Sequence, residues 1–200
     1  MEKYIIDADK VLIKAKKLLG DNEDKWDRIT TKNGTSLFKY DSSNNSEVPH
    51  YLVSTIIDKP INDLVDIIWR INENEAKKRD ATLTDCKNIE KSEYHRIYSQ
   101  HHSMTWPVWP RHLVYAQVKF DEGDVIYIVS YSIKHPKVPL DEDNYVRSHI
   151  HMSVYEFKEI NRVKTSVKRI AQIDPCGTIP TVIVNTFTNN QVNIFNTWKQ

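Results

Sequence analysis

Hydrophobic residues near the amino terminus recur at helical spacing: Val11, Leu12, Ala15, Leu18 and Leu19 share one face. Asp7 or Asp9 is placed to cap this predicted helix, and Gly20 to stop it. Short strand-like runs follow at 26–31, 35–40 and 51–57, and Asn33-Gly34 between the first two signals a hairpin. Pro60 then opens a second helix with Ile61, Leu64, Val65, Ile68 and Trp69 on one side. The charged run 73–80 continues as helix or loop. From residue 82 the pattern becomes extended chain. Val, Ile, Tyr, Thr and Ser dominate 94–102, 113–121, 125–135, 145–157 and 163–173, with Gly123 in a tight hairpin between two of them. Helical spacing returns at 179–198, where Pro180 sits in the first turn and Ile183, Val184, Phe187, Ile194, Phe195 and Trp198 form a stripe. Gln191 interrupts that stripe.

This order predicts an α+β fold: a long antiparallel meander with an amphipathic C-terminal helix across its mouth. Strands longer than ten residues imply strong curvature. The inner face of such a sheet is either filled or hollow, and two strand patterns argue for hollow. Tyr94, Arg96, Tyr98, Gln100 and His102 share one parity; Arg147, His149, His151, Ser153 and Tyr155 share another. A solid core would not select those residues.

Composition narrows the function classes. With 200 residues, 40% hydrophobic and 28% charged, the chain supports one ordinary globular core. A net charge of +1 supplies no bulk attraction to nucleic acid, and none is expected as a partner. Only 4 Gly are present, too few for a Gly-rich phosphate loop. Cys86 and Cys176 alone build neither a disulfide framework nor a thiolate zinc site. There is no apolar run long enough to span a bilayer and no signal-peptide core at the amino terminus, so a cytoplasmic protein is the expectation. No cofactor is implied. The histidines invite a metal, but adjacent His101 and His102 point to opposite faces of a strand and no acidic motif completes a set.

Three ordered segments carry a family resemblance. Trp106-Pro107-Val108-Trp109-Pro110-Arg111-His112-Leu113-Val114-Tyr115 resembles the Trp-Pro…Arg-Asp segment of START (StAR-related lipid-transfer) domains. Asn144-Tyr145-Val146-Arg147 is similar to a later strand of that family. Asp174-Pro175-Cys176-Gly177-Thr178-Ile179-Pro180, followed by Ile183-Val184-Asn185, resembles its lead-in to the last helix. The resemblance covers residues 1–200 as a single domain, more weakly before residue 80. It implies the helix-grip fold: about nine curved antiparallel strands around a long C-terminal helix, enclosing one lipid in a tunnel. Sterol-binding members carry a carboxylate facing an arginine across the cavity. Those positions fall on His102 and Gln117 here, so the charge pair is missing. Gln100 matches a cavity glutamine of ceramide-type members, with Ser130 in place of their asparagine. Phosphatidylcholine-type members use an aromatic cage and an arginine, and Gln100 and His151 fall where two of those aromatics stand. The resemblance does not fix the ligand, and a phospholipid or ceramide-like ligand is expected over a sterol.

The expected headgroup contacts are Gln100, His102, Gln117, Ser130, Arg147 and His151, with His149 and Gln191 also expected to bind the lipid. Leu113, Tyr115, Ile128, Phe187 and Phe195 are expected along the chains. In the loop 105–110, Trp106, Val108 and Trp109 are expected to meet the membrane transiently while the C-terminal helix swings. No catalytic residue and no metal site are expected, and the carrier is expected to be a monomer. The alternatives are an enzyme on the same scaffold, with His102 or His151 as base, and a ligand-sensing adaptor.

Overall fold

The computed structural model of the chain describes residues 2–20, 25–41, 48–70, 72–179 and 190–200. Helix α1 (Glu2–Gly20) precedes three strands, β1 (Asp27–Lys32), β2 (Thr35–Tyr40) and β3 (His50–Ile57). Two short helices follow, α2 (Ile61–Trp69) and α3 (Glu73–Arg79). The long strands are β4 (Leu83–Lys91), β5 (His95–His102), β6 (Arg111–Asp121), β7 (Val125–Ser132), β9 (His149–Asn161) and β10 (Lys164–Asp174), with the two-residue β8 (Val146–Arg147) before β9. The described part of the C-terminal helix, α4, covers 190–197.

The sheet order is β1-β2-β3-β10-β9-β7-β6-β5-β4, antiparallel throughout that path. Strand β8 pairs parallel with β6 at its Arg111 end. The two faces of this sheet bury different elements. On the convex side α1 lays Ala8, Leu12 and Ala15 against Ala116, Val129 and Val154. On the concave side α2, α4 and the turn after it bury Leu64, Trp69, Val192, Phe195 and Trp198 against β2, β3, β7, β9 and β10. Period-two alternation in the strands makes both contacts possible at once.

Several expectations need correction. Helix α1 begins at Glu2, so Asp7 and Asp9 lie inside it rather than capping it, and Asp7 pairs with Lys10 at 3.2 Å. Strand β4 falls in the extended region read from residue 82, where the pattern delimits no strand. Its register shifts between Leu83 and Asp85 and again between Asn88 and Glu90, so no clean alternation marks it. The run 145–157 divides into β8 and β9, and 125–135 ends as a strand at Ser132. The charged run near 73–80 is helical, with Asn72 Oδ1 accepting the Glu75 N–H at 3.0 Å as its cap.

Candidate functional site

Between the concave sheet and α4 lies a cavity of about 450 Å³. Each inward parity contributes a stripe to its wall. Strand β5 supplies Tyr98, Gln100 and His102, and β6 supplies Arg111, Leu113, Tyr115 and Gln117. Ser130 enters from β7, while Ser148, Ile150, Ser153 and Tyr155 enter from β8–β9 and its linker. Arg169, Ala171 and Ile173 of β10 face them, and Gln191, Ile194 and Trp198 close the side toward the C-terminal helix. Tyr98, Tyr115, Ile150, Leu83, Cys86 and Ala76 form the apolar cluster at this end.

Most of the cavity residues expected from sequence are therefore brought together: Gln100, His102, Leu113, Tyr115, Gln117, Ser130 and Gln191. Five others are not. Ile128 and Phe195 are fully buried, but in the solid core beyond the cavity, against Leu64 and Phe157. Arg147 is the register partner of His112, and its Nη2 donates to the Pro139 carbonyl at 2.9 Å. His149 and His151 are exposed, their rings 4.6 Å apart. The reason is a bulge. Ile150 pairs with Ile173 and Met152 with Gln172, which leaves His151 as an extra residue on β9. The extra residue resets the alternation, so Ile150 and Ser153 face inward and the histidine pair faces out. His151 lines a separate groove of about 780 Å³ beside α1, with Lys14 and Lys17. Phe187 lies outside the described residues.

A polar row crosses the concave face in register. Arg96 pairs with Gln117, Gln117 with Ser130, and Ser130 with Ser153. Gln117 Nε2 donates to Ser130 Oγ at 3.4 Å, and Arg169 Nε donates to Ser153 Oγ at 3.1 Å. Arg169 Nη1 also reaches Gln191 Oε1, tying β10 to α4. Arg96, 7% exposed, stacks 4.0 Å from the Trp69 ring, and burial pulls its pKa down. Gln117 Oε1, His102 Nε2, Arg96 Nη1 and Trp198 Nε1 are buried without a hydrogen-bond partner among the described residues. Such groups cost free energy unless something meets them.

At the other end of the cavity, His102 and Arg111 bracket the loop that carries Trp106 and Trp109. Burial lowers the His102 pKa, with nearby Asp80 opposing. Its Nδ1 lies 3.1 Å from Thr82 Oγ1. Behind it, on the convex side, His101 and His112 stack at 4.1 Å, and His112 Nε2 meets Ser99 Oγ at 2.8 Å. Burial, then the neighbouring His101 and Arg147, push His112 down to about 4. Trp106 is 88% exposed and Trp109 54% exposed, while Val108 is half-buried.

Arg111 holds this end together, a role its place in the sequence motif did not reveal. Its Nε donates to the Pro175 carbonyl at 2.8 Å and its Nη2 to the Cys176 carbonyl at 3.0 Å. Its Nη1 donates to the Trp109 carbonyl. One buried guanidinium thus joins the tryptophan loop to the segment leading into the last helix. The described residues hold no group of three or more His, Cys, Asp or Glu that could bind a metal. No described helix is long and apolar enough to cross a membrane.

Comparison with known proteins places this architecture. The sequence matches the START domain family over residues 7–200. The fold is similar to that of human StAR-related lipid transfer protein 5, with a TM-score of 0.83 at 17% identity, covering 98% of this chain and 94% of that one. Human STARD10 is similar at a TM-score of 0.75 and 19% identity over 88% of this chain and 71% of that one. A STAR-related lipid transfer protein fragment from Xanthomonas axonopodis gives 0.70 at 17% identity, over 88% and 100%. Among curated proteins no relative matches the chain.

Proposed function

The chain belongs to the START domain family, and on that premise we propose that it is a non-catalytic lipid carrier. It holds one lipid in the concave cavity, phospholipid or ceramide-like rather than sterol, and exchanges it between membranes. The observation that carries this reading is the cavity itself: about 450 Å³, with Leu113, Tyr115, Ile150 and Ile173 on its walls and a polar row beneath them. A volume of that size lies in the range of built ligand sites.

The energetics suit exchange rather than storage. A buried methylene is worth about 0.8 kcal/mol on leaving water, but a bilayer already provides that gain. The apolar wall has only to match the membrane, and loading and unloading are then both accessible. Selectivity falls to the polar contacts, with Gln100, His102, Gln117, Ser130 and Gln191 in reach of a headgroup. Against a sterol stands the absence of a carboxylate–arginine pair at His102 and Gln117.

Trp106, Val108 and Trp109 make the loop a membrane-touching edge, since indole rings favour the interface between headgroups and water. The carrier works as a monomer in the cytoplasm, residues 1–200 acting as one lipid-binding unit without a cofactor. The test is transfer of fluorescent phosphatidylcholine and ceramide between donor and acceptor vesicles. Protein-dependent transfer of either, faster than of a labelled sterol, is expected. Transfer at the spontaneous rate for all three would overturn the carrier reading.

A further inference from the structure

We propose that Arg169, Ser153 and Trp198 form a subsite that reads a phosphate group on the bound lipid. The proposal rests on the carrier reading and deepens it by naming the chemistry of the headgroup. Arg169 lines the cavity, and among the described residues its hydrogen bonds go to neutral oxygens, those of Ser153 and Gln191. Its guanidinium carbon lies 5.2 Å from the centre of the Tyr155 ring. Among the described residues no carboxylate pairs with it.

The surroundings favour an anion. Trp198 is 3% exposed, lines the same cavity, and has an Nε1–H without a partner among the described residues. Its ring lies 6.0 Å from the Tyr155 ring, so indole and guanidinium flank one aromatic residue. Ser153 Oγ accepts from Arg169, which leaves its own proton to donate. A cation and two neutral donors thus lie around Tyr155 on the cavity wall.

Asp80 is the one carboxylate among the described lining residues, and it is engaged elsewhere. Its Oδ1 accepts from Thr82 N at 2.9 Å and Thr82 Oγ1 at 2.7 Å, beside His102. His102 stands six residues along β5 from the Arg96 end of the polar row, about 20 Å at strand spacing. Arg111 shows how this fold satisfies a purely structural guanidinium, with three backbone carbonyls. Arg169 instead faces the cavity on a neutral side chain of α4. A phosphate could displace that contact with a charge-assisted pair of better geometry.

The experiment is competitive capture from vesicles containing phosphatidylcholine and diacylglycerol with identical acyl chains, alongside the pair sphingomyelin and ceramide. The captured lipids are then quantified by mass spectrometry. Wild-type protein should take the phosphate-bearing member of each pair by at least about tenfold. Arg169→Gln should drop both ratios to near one, and Arg169→Lys should keep part of the preference. Trp198→Phe, which keeps an aromatic ring and loses the N–H, should lower the ratios severalfold. Equal capture of both members by wild-type protein, or an unchanged ratio in Arg169→Gln, would overturn the subsite while leaving the carrier reading intact. Displacement of bound lipid by inorganic phosphate alone would overturn the lipid headgroup as the source of the anion. Capture of no lipid by wild-type protein would overturn the carrier reading itself, and the subsite with it.

Discussion

Beyond the polar row, toward Ile128 and Phe157, the concave face is solid; before it, toward Tyr115 and Ile150, it is hollow. The same strands build both ends. At the filled end, inward positions carry Ile126, Ile128, Phe157 and Val167, which meet Leu64, Val192 and Phe195 from the helices. Four aromatic rings close that end, with Tyr155 stacked 6.0 Å from both Phe157 and Phe195, and Phe195 4.6 Å from Trp198. At the hollow end, inward positions alternate between tyrosine, glutamine, serine and histidine. Stability and binding are thus divided along the strands. One end supplies burial, and the other keeps polar groups poorly satisfied so that a ligand can meet them.

Truncation at each end is the strongest way to break that division. Phe195→Ala should cost about 3–5 kcal/mol in urea unfolding, because its site has no room to collapse. Leu113→Ala, on the cavity wall, should cost about 1 kcal/mol or less, because its site already borders open volume. Equal losses would mean that the cavity wall is part of the core.

Acid should strike the hollow end next. His112 is held at about 4 when folded and titrates near 6.5 when unfolded. Between those values the unfolded chain binds the extra proton, so stability is complete above about pH 6.5 and falls as pH drops toward 4. The loss should be roughly 1–3 kcal/mol, and it should shrink in His112→Gln. Unfolding midpoints at several pH values check this. A slope that His112→Gln leaves intact would move the cause elsewhere.

Gln117→Leu probes the hollow end from the other side. It removes a buried amide oxygen without a partner among the described residues, so stability should stay within about 1 kcal/mol or rise. Lipid capture should fall all the same. A destabilised variant would show that the polar row is structural. The smallest stability effect belongs to Trp109→Ala, within about 0.5 kcal/mol because the ring is largely exposed. Vesicle transfer should nevertheless slow severalfold, and an unchanged rate would remove the loop from the membrane-touching role.

Periodicity in the sequence was enough to read the long strands, the face of α2 and the alternating cavity stripe of β5, because each is a local property of the chain. Three features were not legible for the same reason. The bulge at His151 is set by pairing with β10, and nothing in 149–153 announces it. The boundary between solid and hollow depends on where α2 and α4 land, so Ile128 and Phe195 read as cavity residues although they lie in the core. The roles of Arg111, Arg169 and Trp198 arise from contacts across 64, 16 and 43 residues, respectively, which no spacing rule connects. Arg111 did lie in a segment with family resemblance, and that was the available hint.

The most direct test of the central claim is native mass spectrometry of the protein after purification and after exposure to mixed vesicles. An intact lipid of one class, bound at about one per chain and released unchanged, is expected. A chain that carries nothing and captures nothing would contradict it.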